Sequence, residues 1–240
     1  MADKNNFNCN FKENVGKVVV ILAKKIAAME VNSSCPLFAY QPEIPESVKK
    51  LRSMNNWADR SGEVFIKTKI VPADDKEILE YGISQGLFLV FNLLIFFGIC
   101  CYFKIIIWGF IFLVLFWPLR IYAGGYHAKT RMHCILISTF MEIMACNIIC
   151  KPFIKEITMI CVAIISLYII YELAPVDTEM RCLDIKERKI FRLKVHRLLL
   201  IESVFMFVAV VMKWKLFYKV IATALFLVAT LLVIEKVKSI

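Results

Sequence analysis

The chain has 240 residues, is 60% hydrophobic and has a mean hydropathy of +0.68, which is too apolar for a soluble domain of that length. Its net charge of +10 sits in basic residues scattered between apolar runs, so it does not read as a nucleic-acid-binding surface. Nine cysteines, odd in number and mostly inside those runs, exclude a disulfide framework, and no spacing of Cys, His and carboxylates predicts a metal site.

The first region, residues 1–53, mixes polar and apolar residues. From Val15 the positions Val15, Val18, Val19, Leu22, Ile26 and Met29 repeat at three-and-four spacing, predicting an amphipathic helix over 14–30 with Lys17 and Lys24 on its other face. Such a helix either lies in the plane of an anionic membrane surface or packs on a membrane domain. No cleavable signal peptide is expected, because lysines interrupt the apolar stretch and an Asn-rich segment precedes it. Residues 32–39 and 40–52 follow as a short segment around Cys35 and a charged tail. Three prolines within ten residues (Pro36, Pro42 and Pro45) forbid a regular helix there, leaving an extended strand of the kind a protease can hold. Residues 54–82 are polar and read as a linker and a segment leading into the membrane, with Asp74, Asp75 and Glu77 at the start of a helix.

Six apolar runs follow within 83–240, at 83–103, 105–119, 132–150, 157–174, 199–212 and 216–234. The expected fold is therefore all-α: a polytopic integral membrane protein of about six transmembrane or membrane-embedded helices. Arg120, Lys129 and Arg131 lie between the second and third runs, and Arg181 to Arg197 form a basic stretch between the fourth and fifth. Lys104, Lys151, Lys155, Lys213 and Lys215 are sparser on the alternate loops. The positive-inside rule then puts both termini and the two basic loops in the cytoplasm.

The chemistry concentrates in Arg120-Ile-Tyr-Ala-Gly124-Gly125-Tyr-His127 and the nearby Cys134. An imidazole and a thiol are the minimum kit of a thiol peptidase, and paired glycines let backbone approach a substrate. On one straight helix, seven residues would hold His127 and Cys134 about 10 Å apart, too far for proton transfer, so the chain must bend between them. Thr130 is the expected N-cap of the third span, which puts Cys134 in its first turn, where unpaired amides and the helix dipole favour a thiolate. His133 is the weaker base, since adjacent helical residues point apart. Arg120 reads either as an anchor at the membrane surface or as a binder of an acidic tail or an oxyanion, with Gly124 and Gly125 as possible backbone donors.

The signature from Arg120 to His127, with Cys134 seven positions on, resembles that of the accessory gene regulator B family (AgrB) of membrane peptidases. The run Asp75 to Gly82 and the segment Ala174-Pro175-Val176-Asp177, followed by a basic stretch, agree, and the likeness spans about 75–240. Residues 1–53 independently resemble the family's partner precursor, accessory gene regulator D (AgrD): amphipathic leader, core with one cysteine, acidic Pro-containing tail. The resemblance implies a bacterial cytoplasmic membrane enzyme, without cofactor, working as a homodimer on the inner face. It implies cleavage between Ala39 and Tyr40 through an acyl-enzyme on Cys134, and closure of a thiolactone between Cys35 and Ala39. Precursor and peptidase on one chain depart from the pattern of separate proteins, and a natural fusion and a tether both fit. The rival classes are a peptide exporter or channel and a non-catalytic membrane scaffold, neither of which needs the His/Cys spacing.

Overall fold

The computed structural model describes residues 20–28, 76–126, 128, 130–151, 155–176 and 183–238. Every regular element among them is a helix: α1 (20–28), α2 (Lys76–Tyr102), α3 (Ile106–Ala123), α4 (Arg131–Cys150), α5 (Glu156–Leu173), α6 (Ile185–Val211) and α7 (Lys215–Lys238). Five of these, α2 from Ile78, α3, α4, α5 and α7, are long and apolar enough to cross a membrane. The protein is an all-α, multi-pass membrane protein.

The fifth expected run, 199–212, differs. It is the second half of α6, a helix of 27 residues whose first half carries Lys186, Arg188, Lys189, Arg192, Lys194 and Arg197. A capping box starts that helix: the Asp184 carboxylate accepts from the Ile185 amide at 2.8 Å while the Asp184 amide donates to Glu187 Oε2 at 3.4 Å. The charged half keeps α6 from qualifying as a span by length and composition, although Leu199, Met206 and Ala209 of its apolar half are buried. The second run also extends further than its apolar residues suggest, through Pro118 to Ala123, because Arg120 turns inward instead of ending the helix.

The described residues form two compact units, residues 20–28 with 76–90, and those from 91 to 238. In the first unit α1 packs on the opening half of α2. The buried face of α1 is Ala23 and Ala27, while Leu22, part of the expected apolar stripe, is 53% exposed. Small residues win that contact because they allow two backbones to approach closely, and a large side chain does not. Packing on a helix, the second of the two expectations for this segment, is the arrangement seen for 20–28; the rest of 14–30 lies outside the described residues.

In the second unit α7 is the central helix, with 72% of its most apolar stretch buried, against 22–33% for the other four spans. Ala222, Thr223, Ala224 and Ala229 let α3, α4, α5 and α6 close around it. Hydrogen bonds at the helix ends fix the alternating up-and-down order. Lys219 Nζ at the start of α7 donates to Lys151 O at the end of α4 (2.6 Å), and Tyr126 N after α3 donates to Leu231 O near the other end of α7 (3.1 Å). Val176 N, after α5, donates to Ala123 O at 3.0 Å, so the α3–α4 and α5–α6 connections share one end of the bundle.

Candidate active site

That shared end holds Arg120, Gly124, Gly125 and Cys134. Helix α3 stops at Gly124, whose backbone takes φ 77° and ψ −147°, and Gly125 follows at φ 114°; both conformations favour glycine. The Gly124 amide donates to Arg120 O at 3.2 Å and so closes the last turn of α3. That amide is therefore engaged in capping the helix rather than offered as an oxyanion donor. A Cβ on Gly125 would lie 2.5 Å from Arg120 Nη1 and 3.2 Å from the Leu231 carbonyl, so the second glycine also serves a close approach.

Arg120 is 1% exposed. Its Nη1 donates to Gly124 O, and its Nη2 donates to Tyr126 O at 2.5 Å. One planar, charged fork thus grips two carbonyls of the loop that carries His127, each such bond being worth about 1.5–3 kcal/mol. The guanidinium faces the protein interior, which the sequence did not separate from a surface anchor. On its carboxyl side the loop is tied to α7 by the Tyr126–Leu231 bond. Burial of a lone guanidinium in an apolar bundle costs several kcal/mol, so the contacts that offset it also define the loop.

Helix α4 begins where Thr130 caps it: Thr130 is extended (φ −132°, ψ 153°) and its Oγ1 accepts from the His133 amide at 3.3 Å. Cys134 follows in the first turn with 0% exposure, its amide donating to Thr130 O at 3.1 Å. His133 is exposed, about 100° around the helix from the buried thiol. The position of Thr130 agrees with the expected cap. His127, Cys35, Ala39 and Tyr40 lie outside the described residues.

One turn further along α4, Ser138 Oγ donates to Cys134 O at 2.8 Å. Ser138 and Glu142 continue the Cys134 face at four-residue spacing and line a chamber walled by Phe96, Phe112, Phe116 and Leu227, with Arg120 also on its wall. Glu142 is 8% exposed, and its Oε2 has no hydrogen-bond partner among the described residues. Sequence reasoning passed over Glu142, although a carboxylate inside a span, eight residues after a candidate nucleophile, was the signal to find it. Glu235, one turn beyond Leu231 on α7, is likewise buried at 3% exposure and was not singled out. Among the described residues no group of three or more His, Cys, Asp or Glu side chains is placed to hold a metal ion.

Comparison with curated proteins and with solved structures gives no match. The family model described as accessory gene regulator B matches residues 58–234, a stretch that includes α2 to α6 and most of α7, with Arg120, the glycine pair and Cys134 inside it. With that match covering well over half of the chain, this multi-pass membrane protein belongs to the accessory gene regulator B family and is related to quorum sensing.

Proposed function

We propose that the chain is a membrane cysteine endopeptidase that cuts and cyclises a peptide precursor of the AgrD type, here its own residues 1–53. His127 takes the proton of Cys134, and the thiolate attacks the Ala39 carbonyl. The bond between Ala39 and Tyr40 breaks, the proton passes to the leaving amine of Tyr40, and a thioester joins Ala39 to Cys134. The Cys35 thiol then attacks that thioester, forming the ring thiolactone and returning a proton and a free thiol to Cys134. No water is consumed. Thioester exchange conserves bond energy that hydrolysis would lose, so a site that excludes water is required.

The observation that carries this reading is Cys134, fully buried in the first turn of α4, directly after a loop whose backbone is gripped by Arg120. Arg120 has the part of a positioning residue: its Nη1 and Nη2 donate to the loop carbonyls, which favours holding the His127 loop over binding the acidic tail. The carboxylate that orients His127 we assign to Glu235. Its support is chain connectivity: Tyr126, the neighbour of His127, is bonded to Leu231, and Glu235 is buried about 6 Å further along α7. Positive-inside charge favours the cytoplasm for this end of the bundle.

Intact-mass measurement on the chain in membranes tests the reading. The active chain yields a leader of residues 1–39 carrying a dehydrated Cys35–Ala39 ring and a separate chain beginning at Tyr40. Cys134→Ser and His127→Ala leave the full chain uncut. Unchanged tail release in Cys134→Ser would favour an exporter, a channel or a scaffold, and a linear leader ending at Ala39 would mean peptidase action without cyclisation.

A further inference from the structure

Helix α1 lies outside the stretch matched by the family model, 58–234, yet it packs closely on α2, which lies inside it. The contact has two partners on each side at four-residue spacing: Ala23 and Ala27 of α1, exposed by 3% and 0%, and Gly82 and Gly86 of α2. A Cβ on Gly82 would fall on the Ala23 backbone carbonyl, and one on Gly86 would lie 3.0 Å from Ile26 Cδ1. Neither glycine takes a backbone angle that only glycine tolerates, so the missing side chains answer to the approach of α1. Leu22 stays outside this contact and is turned outward, so the seat is read at the small residues.

We propose that the Gly82/Gly86 notch on α2 is a recognition seat for the precursor's leader helix, read by backbone proximity at small residues. This rests on the reading of residues 1–53 as substrate. The seat holds a segment outside the stretch that the family model matches, and a precursor made as a separate chain would use it in the same way. Ala39 lies eleven positions after Ala28, so a seated leader confines the scissile bond to within about 40 Å of α1, raising its effective concentration. Specificity for the leader is then a matter of shape: two alanines one turn apart fit, and larger side chains at those positions hold the helices apart.

Leader substitutions separate seating from simple membrane attachment, because the two predict opposite signs. In the full chain, Ala23→Leu with Ala27→Leu makes the leader more apolar but too bulky for the notch, and tail release slows about 10-fold. Leu22→Ala makes it less apolar and changes release by less than about twofold. Slower release in Leu22→Ala with none in the double variant would overturn the seat in favour of membrane attachment. A readout independent of catalysis uses the Cys134→Ser chain with p-benzoylphenylalanine in place of Ile26. Irradiation is expected to cross-link it to the α2 peptide containing Gly82 and Gly86, and cross-links to lipid alone would overturn the proposal. Should Cys134→Ser still release its tail, the peptidase reading fails while the cross-link continues to report the seat.

Discussion

The two ends of the bundle meet one physical problem, the unpaired carbonyls of a helix's last turn, and solve it in different ways. At the α2–α3 turn, Ile105 N donates to Cys100 O (2.9 Å) and Lys104 N to Cys101 O (3.0 Å), with Lys104 left-handed at φ 58°. The α6–α7 turn repeats this with Trp214 N to Ala209 O (2.9 Å), Lys213 N to Val210 O (3.1 Å) and Lys213 at φ 56°. Both are Schellman closures made within a few residues, and they need nothing from the rest of the protein. At the opposite end, α3 finishes through a buried arginine from its own last turn and through a bond to α7. Local closure makes a turn that survives by itself. Closure through a distant helix makes a loop whose shape depends on the whole fold, which is what a site needing fixed geometry requires.

That difference predicts graded sensitivity. Arg120→Ala removes two charge-assisted bonds from the His127 loop, worth together at least about 3 kcal/mol, and tail release followed by intact mass should fall at least about 100-fold. Arg120→Lys keeps the charge but offers a point donor in place of a fork, so it restores activity only in part. Gly125→Ala puts a side chain against Arg120 Nη1 and strains a backbone at φ 114°; at about 1–3 kcal/mol of strain the same assay should fall about 10- to 100-fold. Glu235→Gln keeps the shape but weakens orientation of the imidazole, and a loss of about 10-fold in the rate, with the chain still folded in detergent, is expected. At the other end, Lys213→Gly relieves a left-handed lysine and should leave release unchanged while raising resistance to thermal unfolding by about 1 kcal/mol. A larger activity loss from Lys213→Gly than from Gly125→Ala would erase the distinction between the two ends.

Much of the site was legible in the sequence because local chemistry wrote it. Thr130 marked the cap of α4 and thereby the first-turn position of Cys134, and the paired glycines marked the end of α3. The direction of Arg120 was not legible: a charge at the end of an apolar run reads alike whether it reaches out to headgroups or in to carbonyls. The start of α6 was written as Asp184-Ile-Lys-Glu187, a capping box, but the basic residues after it drew the reading toward a loop. The centrality of α7 lay beyond hydropathy altogether. Helices α5 and α7 are both apolar spans, yet 22% of the most apolar stretch of one and 72% of that of the other is buried, because lipid is as apolar as a protein core. Small residues carried that information, on α7 as on α1 and the glycines of α2.

The most direct measurement is capture of the acyl group on Cys134. Cys35→Ala removes the cyclising thiol, so the cut chain stops as a thioester between Ala39 and Cys134 with the same mass as the uncut protein. Neutral hydroxylamine should then release residues 1–39 as a hydroxamate at Ala39, and adding Cys134→Ser should abolish that release. A hydroxamate at Ala39 from the Cys134→Ser chain, or none from the chain that keeps Cys134 and is cut, would contradict Cys134 as the nucleophile.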